Sequence, residues 1–137
     1  MSTASPAPRV VVADDIATMR QLLARLAGRA GFEVVAEVGT TDALAEAVGR
    51  LNPDVALTDV EMPGAPLLEI LVSLRERAPA TTVLVHTGHA DAANVRRLTD
   101  AGAREVIAKG SPVEHILAVL HAAVDGGAPT RPAGGRG

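Results

Sequence analysis

The chain has 137 residues, 47% of them hydrophobic and 21% charged, with a formal net charge of -3. That length suits one domain with a substantial core, and the charge excludes a broad electrostatic pull on nucleic acid or on an anionic membrane. The lack of cysteine excludes disulfides, thiolate nucleophiles and cysteine-held metals, and fits the cytosol; a single aromatic residue, Phe32, excludes base-stacking surfaces.

Residues 1–8 lack the basic-then-apolar pattern of a signal peptide and read as a disordered arm. Val10 to Ala13 is a continuous apolar run, as a strand buried on both faces should be. A helix follows over about Ile16 to Ala30, with Ile16, Met19, Leu23, Leu26 and Ala30 on one stripe and Gly31 as its stop. Glu33 to Val38 alternates like a strand nearer the edge. Thr41-Asp42 caps a helix running to Leu51, and Asn52-Pro53 ends it. Asp54 to Thr58 is a third strand, followed by a Glu61-Met62-Pro63-Gly64 loop. Pro66 suits the first turn of a helix that runs to about Ala78 and is apolar on more than one face.

Thr82 to Thr87 is the fourth strand. Asp91 to Ala101 is a helix with Arg96, Arg97 and Asp100 exposed, stopped by Gly102. Glu105 to Ala108 is the fifth strand. Ser111, Pro112 and Glu114 have the spacing of a capping box at the start of a last helix reaching Asp125. Its Ala118, Val119 and Ala122 form a second apolar face, read first as core contact and second as a dimer surface. Residues 126–137 are a flexible tail or the start of a linker. No apolar run approaches the ~20 residues of a membrane span. Alternating strands and helices call for a doubly wound parallel sheet with helices on both faces.

In such a sheet, sites lie at the carboxyl edge of the strands. Asp14 and Asp15 follow the first strand, Asp59 the third, Thr87 ends the fourth and Lys109 follows the fifth. Read singly, each has a bland explanation: a helix cap, a satisfied loop, a solvated charge. Read together, three carboxylates repel one another without a cation, and hard oxygen ligands suit Mg²⁺. A carboxylate nucleophile toward phosphorus fits this set, with an ammonium and a hydroxyl for the phosphoryl oxygens. Dinucleotide binding is disfavoured, because no Gly-x-Gly-x-x-Gly follows the first strand. His86, His115 and His121 read as surface or half-buried residues.

Four segments in this order resemble the receiver domain of bacterial two-component response regulators. They are Val11-Val12-Ala13-Asp14-Asp15, the run Asp54 to Gly64, the run Val83 to Gly88, and the run Ala101 to Lys109. The resemblance covers residues 9–125 and implies a flavodoxin-like (βα)5 fold with strand order 2-1-3-4-5. It implies that Asp59 is the phosphoacceptor for a sensor histidine kinase or an acyl phosphate. Asp15 would bind Mg²⁺ directly, Asp14 largely through water, and Glu61 through its backbone carbonyl. Thr87 would be the switch hydroxyl and Lys109 the phosphate-binding lysine. Any cis bond of the family's kind would fall at Ser111-Pro112. The kinase would dock near Thr18, Arg20 and Leu22.

The same resemblance implies a cytoplasmic switch that catalyses only its own phosphorylation and dephosphorylation. Output would run through the fourth helix, fifth strand and last helix to a partner protein or output domain, with a homodimer on activation. The segments look most like regulators with a helix-turn-helix output domain. No such domain lies in these residues, so the chain is expected to be a single-domain regulator or a receiver cut from a longer one, without direct nucleic acid binding. Three departures stand out. Val106 occupies the place of the family's mobile aromatic. The loop continues as Ala65-Pro66-Leu67-Leu68. Glu61 and His89 sit two residues after Asp59 and Thr87, where they flank the path of hydrolytic water and are candidates for tuning the aspartyl-phosphate lifetime. The alternatives are a degenerate receiver that binds a partner without phosphate, or an aspartate-phosphate hydrolase.

Overall fold

The computed structural model describes residues 6–125, and the expectations for residues 1–5 and 126–137 fall outside the described residues. Five parallel strands, β1 (Arg9–Ala13), β2 (Glu33–Val38), β3 (Val55–Asp59), β4 (Thr82–Thr87) and β5 (Glu105–Ala108), lie in the order β2-β1-β3-β4-β5. They alternate with α1 (Ala17–Arg29), α2 (Thr41–Leu51), α3 (Leu67–Arg77), α4 (Ala92–Ala101) and α5 (Val113–Asp125). This is the flavodoxin-like, doubly wound fold. No described helix is long and apolar enough to cross a membrane.

The side-chain alternation of the strands splits the core into two layers. Val10, Val12, Val55, Leu57, Leu84 and Ile107 pack with Leu23 and Leu26 of α1 and Ile116 and Leu120 of α5. Val11, Ala13, Ala56, Val83 and Val85 pack with Leu44 of α2, Leu71 and Leu74 of α3, and Leu98 of α4. The central strands β1, β3 and β4 are buried almost throughout, which is why they read as continuous apolar runs. The edge strand β2 is half-covered, with Glu33 and Glu37 exposed and Val34 to Ala36 all partly buried, so the expected alternation does not appear in its burial.

Several local expectations need correction. Ile16 is the residue before α1 and is 53% exposed, so the apolar stripe begins at Met19. Thr40, not Thr41, caps α2, its hydroxyl accepting from Ala43 N at 3.0 Å. Pro66 precedes α3, which buries Leu67, Leu71 and Leu74 while Leu68 and Val72 stay exposed. The capping box at α5 does not form: the Ser111 hydroxyl donates back to Ala108 O at 2.6 Å. Every described peptide is trans, Ser111-Pro112 included, and the chain turns at Gly110 with φ +90 instead. On α5, Val119 is core, Ala118 is exposed and Ala122 is half-covered, so these residues do not make one separate face.

Thr41 turned out to have another task. It is fully buried, and its hydroxyl donates to Ala65 O at 2.7 Å while its N–H donates to Pro63 O at 3.0 Å. These bonds clamp the β3–α3 loop onto the start of α2. Gly64 passes directly over Thr41 with φ +114, and a Cβ there would collide with the Thr41 hydroxyl.

Candidate functional site

The strand ends meet at one edge, as expected. Asp14 continues the alternation of Val10 and Val12, Asp59 that of Val55 and Leu57, and Lys109 that of Ile107. The three therefore converge on the α1 and α5 side. Asp14 is fully buried and Asp59 is 2% exposed, while Asp15 stands in solvent. One carboxylate oxygen from each of Asp14, Asp15 and Asp59 lies within 4.8 Å of the others. Lys109 Nζ donates to Asp59 Oδ2 at 3.2 Å, the ion pair that ties β5 to β3.

Backbone atoms fix the acids. Ile16 N donates to Asp14 Oδ1 at 2.9 Å, and Val60 N donates to Asp59 Oδ1 at 2.7 Å. The helix-cap and loop readings of these aspartates thus hold in part, since each spends one oxygen on a local amide. Asp14 Oδ2 is left buried without a hydrogen-bond partner. Burial, opposed by the Ile16 amide and reinforced by the negative charge of Asp59, pushes the Asp14 carboxyl above the usual carboxylate range. A buried oxygen with no donor, beside a second carboxylate, is what a cation site looks like from the protein side.

On β4, Thr87 is buried to 1% exposure and its hydroxyl accepts from His89 N at 3.0 Å. Lys109 N donates to Thr87 O at 2.8 Å, so the hydroxyl and the ammonium are set by adjoining strand ends. Glu61 and His89 come together: His89 Nε2 lies 3.1 Å from Glu61 Oε2, with both side chains mostly in solvent. They border an open cavity of about 310 Å³ that is also lined by Thr87, Leu68, Asn94 and Arg97. Val106 is elsewhere, paired with Val85 and packed into the layer under α4.

Two residues have roles that the sequence did not reveal. His86 is buried, not at the surface, and its Nδ1 has no partner. Cross-strand register sets it between Asp59 and Ile107. Burial and then the Lys109 charge hold its imidazole below the usual histidine range. Counting in steps of two from Leu84 would have placed it there. Arg20, expected as a docking residue, is half-buried and donates to Asp14 O at 2.8 Å, with Glu37 Oε1 at 3.9 Å from its Nε. Thr18 and Leu22 are exposed as expected. His115 is half-buried and His121 is exposed, with His121 Nε2 3.2 Å from Ala30 O.

The family model of the response regulator receiver domain matches residues 10–121. The chain belongs to that family. Its receiver fold is shared with the signal receiver domain of NarL from Mycobacterium tuberculosis, which is 31% identical with a TM-score of 0.81, over 88% of this chain and 98% of that one. A response regulator from Burkholderia pseudomallei, solved with a phosphorylated aspartic acid, a calcium ion and citrate, is 27% identical with a TM-score of 0.74, over 86% of this chain and 69% of that one. A protein-glutamate methylesterase/protein-glutamine glutaminase from Burkholderia thailandensis is 41% identical over 105 residues, which make up 74% of this chain and 29% of that protein. The receiver domain thus spans less than a third of that relative's length.

Proposed function

We propose that this receiver domain is a Mg²⁺-dependent phosphoacceptor switch in which Asp59 takes a phosphoryl group from the phosphohistidine of a sensor kinase or from an acyl phosphate. The observation that carries the reading is the gathering of one carboxylate oxygen each from Asp14, Asp15 and Asp59, together with a buried Asp14 Oδ2 that has no hydrogen-bond partner. Asp14, Asp15, Asp59 and the Glu61 backbone carbonyl would hold the metal, Asp14 largely through water. Bound there, Mg²⁺ would neutralise incoming charge and align the oxygens.

An Asp59 carboxylate oxygen attacks phosphorus, the new O–P bond forms, and the P–N bond to the kinase imidazole breaks with its electron pair returning to nitrogen. Lys109, already 3.2 Å from Asp59, stays close enough to pair with a phosphoryl oxygen. Thr87 accepts from His89 N and keeps its hydroxyl proton to donate to another. Glu61 and His89 face each other beside this path and would set how fast water reaches the acyl phosphate. Exposed Thr18 and Leu22 on α1 are proposed for kinase docking. The α4-β5-α5 face is proposed for output to a partner protein, an output domain or a second copy. We place the protein in the cytoplasm and assign it no turnover beyond its own phosphorylation and dephosphorylation. The phosphorylated relative from Burkholderia pseudomallei supports the reading.

The aliphatic Val106, half-buried against the layer under α4, favours a second reading, a module that binds a partner regardless of phosphate. Intact-mass analysis after incubation with Mg²⁺ and acetyl phosphate separates the two. One adduct of ~80 Da, as expected for a single aspartyl phosphate, absent from Asp59→Asn, supports the switch. No adduct from acetyl phosphate or kinase, in a folded protein that fails to bind Mg²⁺, selects the phosphate-independent module.

A further inference from the structure

A chain of hydrogen bonds leaves the switch hydroxyl and ends on the solvent face of α4. His89 N donates to Thr87 Oγ1 at 3.0 Å. Asn94 Nδ2 donates to His89 O at 3.2 Å and to Asp91 Oδ2 at 3.0 Å. Arg97 Nη2 donates to Asn94 Oδ1. The Asn94 amide therefore has both donor hydrogens and an acceptor position committed. Its own backbone N–H is held by Asp91 Oδ1 at 3.0 Å, the N-terminal cap of α4.

This arrangement has two consequences. A hydroxyl that donates to an anionic oxygen becomes a stronger acceptor, because hydrogen bonds in series polarise one another. Whatever Thr87 does is thus felt first at the His89 amide. The His89 N–H and C=O lie in adjacent peptide groups that share the His89 Cα, so a shift at the first is passed through that Cα to the carbonyl on which Asn94 hangs, and an amide with both donors committed cannot follow without loosening Asp91 or Arg97. The open cavity between α3 and α4 leaves the segment room to move, and Arg97 lines it. On β5, by contrast, Val106 is a β-branched side chain with little rotamer freedom, packed against the layer that holds Leu98 and Ala101.

We propose that Asn94 is a positioning residue that carries the occupancy of the Asp59 site to α4, through the backbone of His89 and on to Arg97. The proposal rests on the reading of Asp59 as phosphoacceptor. It assigns the signal to a main-chain link, so the His89 imidazole is dispensable for it.

The test is residue-level amide hydrogen exchange on the full chain, with Mg²⁺ and beryllofluoride as the probe. The Val60 amide, bonded to Asp59 Oδ1, reports occupancy independently. In the parent protein the probe should change exchange over Val95–Thr99 by about fivefold or more, the lower range of allosteric coupling. In Asn94→Ala that change should vanish while the Val60 resonance still shifts. Asn94→Asp, which keeps an acceptor for Arg97 but no donor for His89, should behave like Asn94→Ala. His89→Ala should keep the α4 response. An α4 response that survives Asn94→Ala, or is lost in His89→Ala, overturns the proposal. A parent protein whose Val60 resonance ignores the probe overturns the phosphoacceptor reading, and the relay with it.

Discussion

Asp14 and Asp59 are sealed among backbone amides and strand neighbours, whereas Glu61, His89 and Asn94 stand around an open cavity, Glu61 paired with His89 and Asn94 bonded to His89, Asp91 and Arg97. The first region is built on β1 and β3, deep in the sheet. The second is built on loops at the start of α3 and α4. The contrast divides the labour in the proposed switch: an enclosed geometry would suit binding of a cation and a phosphoryl group, and a solvent-facing rim would suit a response to them.

The largest effect should come from undermining the sealed region. Leu57 is fully buried beneath Asp59, and Leu57→Ala should lower stability by about 2–5 kcal/mol in denaturant titration. Leu68→Ala, on the exposed rim, should cost about 1 kcal/mol or less. Equal losses would remove the distinction.

Next comes the buried charge. Because the Asp14 pKa is raised, its ionisation is harder in the folded than in the unfolded state. Stability of the metal-free protein should therefore fall as pH rises above the usual carboxylate value and Asp14 ionises. Asp14→Asn should raise the melting temperature of the metal-free protein at neutral pH. Saturating Mg²⁺, at about a hundred times its Kd, should stabilise the parent by about 2.7 kcal/mol and Asp14→Asn much less.

His86 carries the opposite sign. Its folded pKa is lowered, so the unfolded chain takes up the proton first. Its contribution is fully present above about pH 6.5 and is lost as pH falls through the folded value. The slope should not exceed about 1.4 kcal/mol per pH unit. His86→Leu should flatten it in pH-dependent melting. The smallest stability change, within about 0.5 kcal/mol, is expected for Glu61→Ala with His89→Ala, since both are mostly exposed. Their effect should show in the aspartyl-phosphate lifetime; an unchanged lifetime would end their assignment as rate-tuning residues.

The strands and the strand-end acids were legible because burial on both faces leaves continuous β-branched runs, and because each run ends on its polar residue. What escaped depended on side-chain partners that loop and turn geometry selects, some near in sequence and some far. Thr41 looked like a cap because its role is set by Pro63 and Ala65, twenty-two and twenty-four residues away. Arg20 looked like surface because its partner is the Asp14 carbonyl across the β1–α1 turn. Ser111 had the right spacing for a capping box, yet the turn at Gly110 sent its hydroxyl the other way. Asn94 carried no sequence signal at all, since an asparagine in a first helical turn is ordinary; only its three side-chain hydrogen bonds distinguish it.

The Asp59–Lys109 pair spans fifty residues, and the cation directly follows the last strand. During synthesis both buried acids leave the ribosome before the lysine that offsets them. Until β5 docks, Asp59 lacks its lysine and the edge of β4 lacks its neighbour. Docking of β5 covers that strand and delivers the ammonium in the same event. The final βα unit thus brings the covering strand and the offsetting charge together.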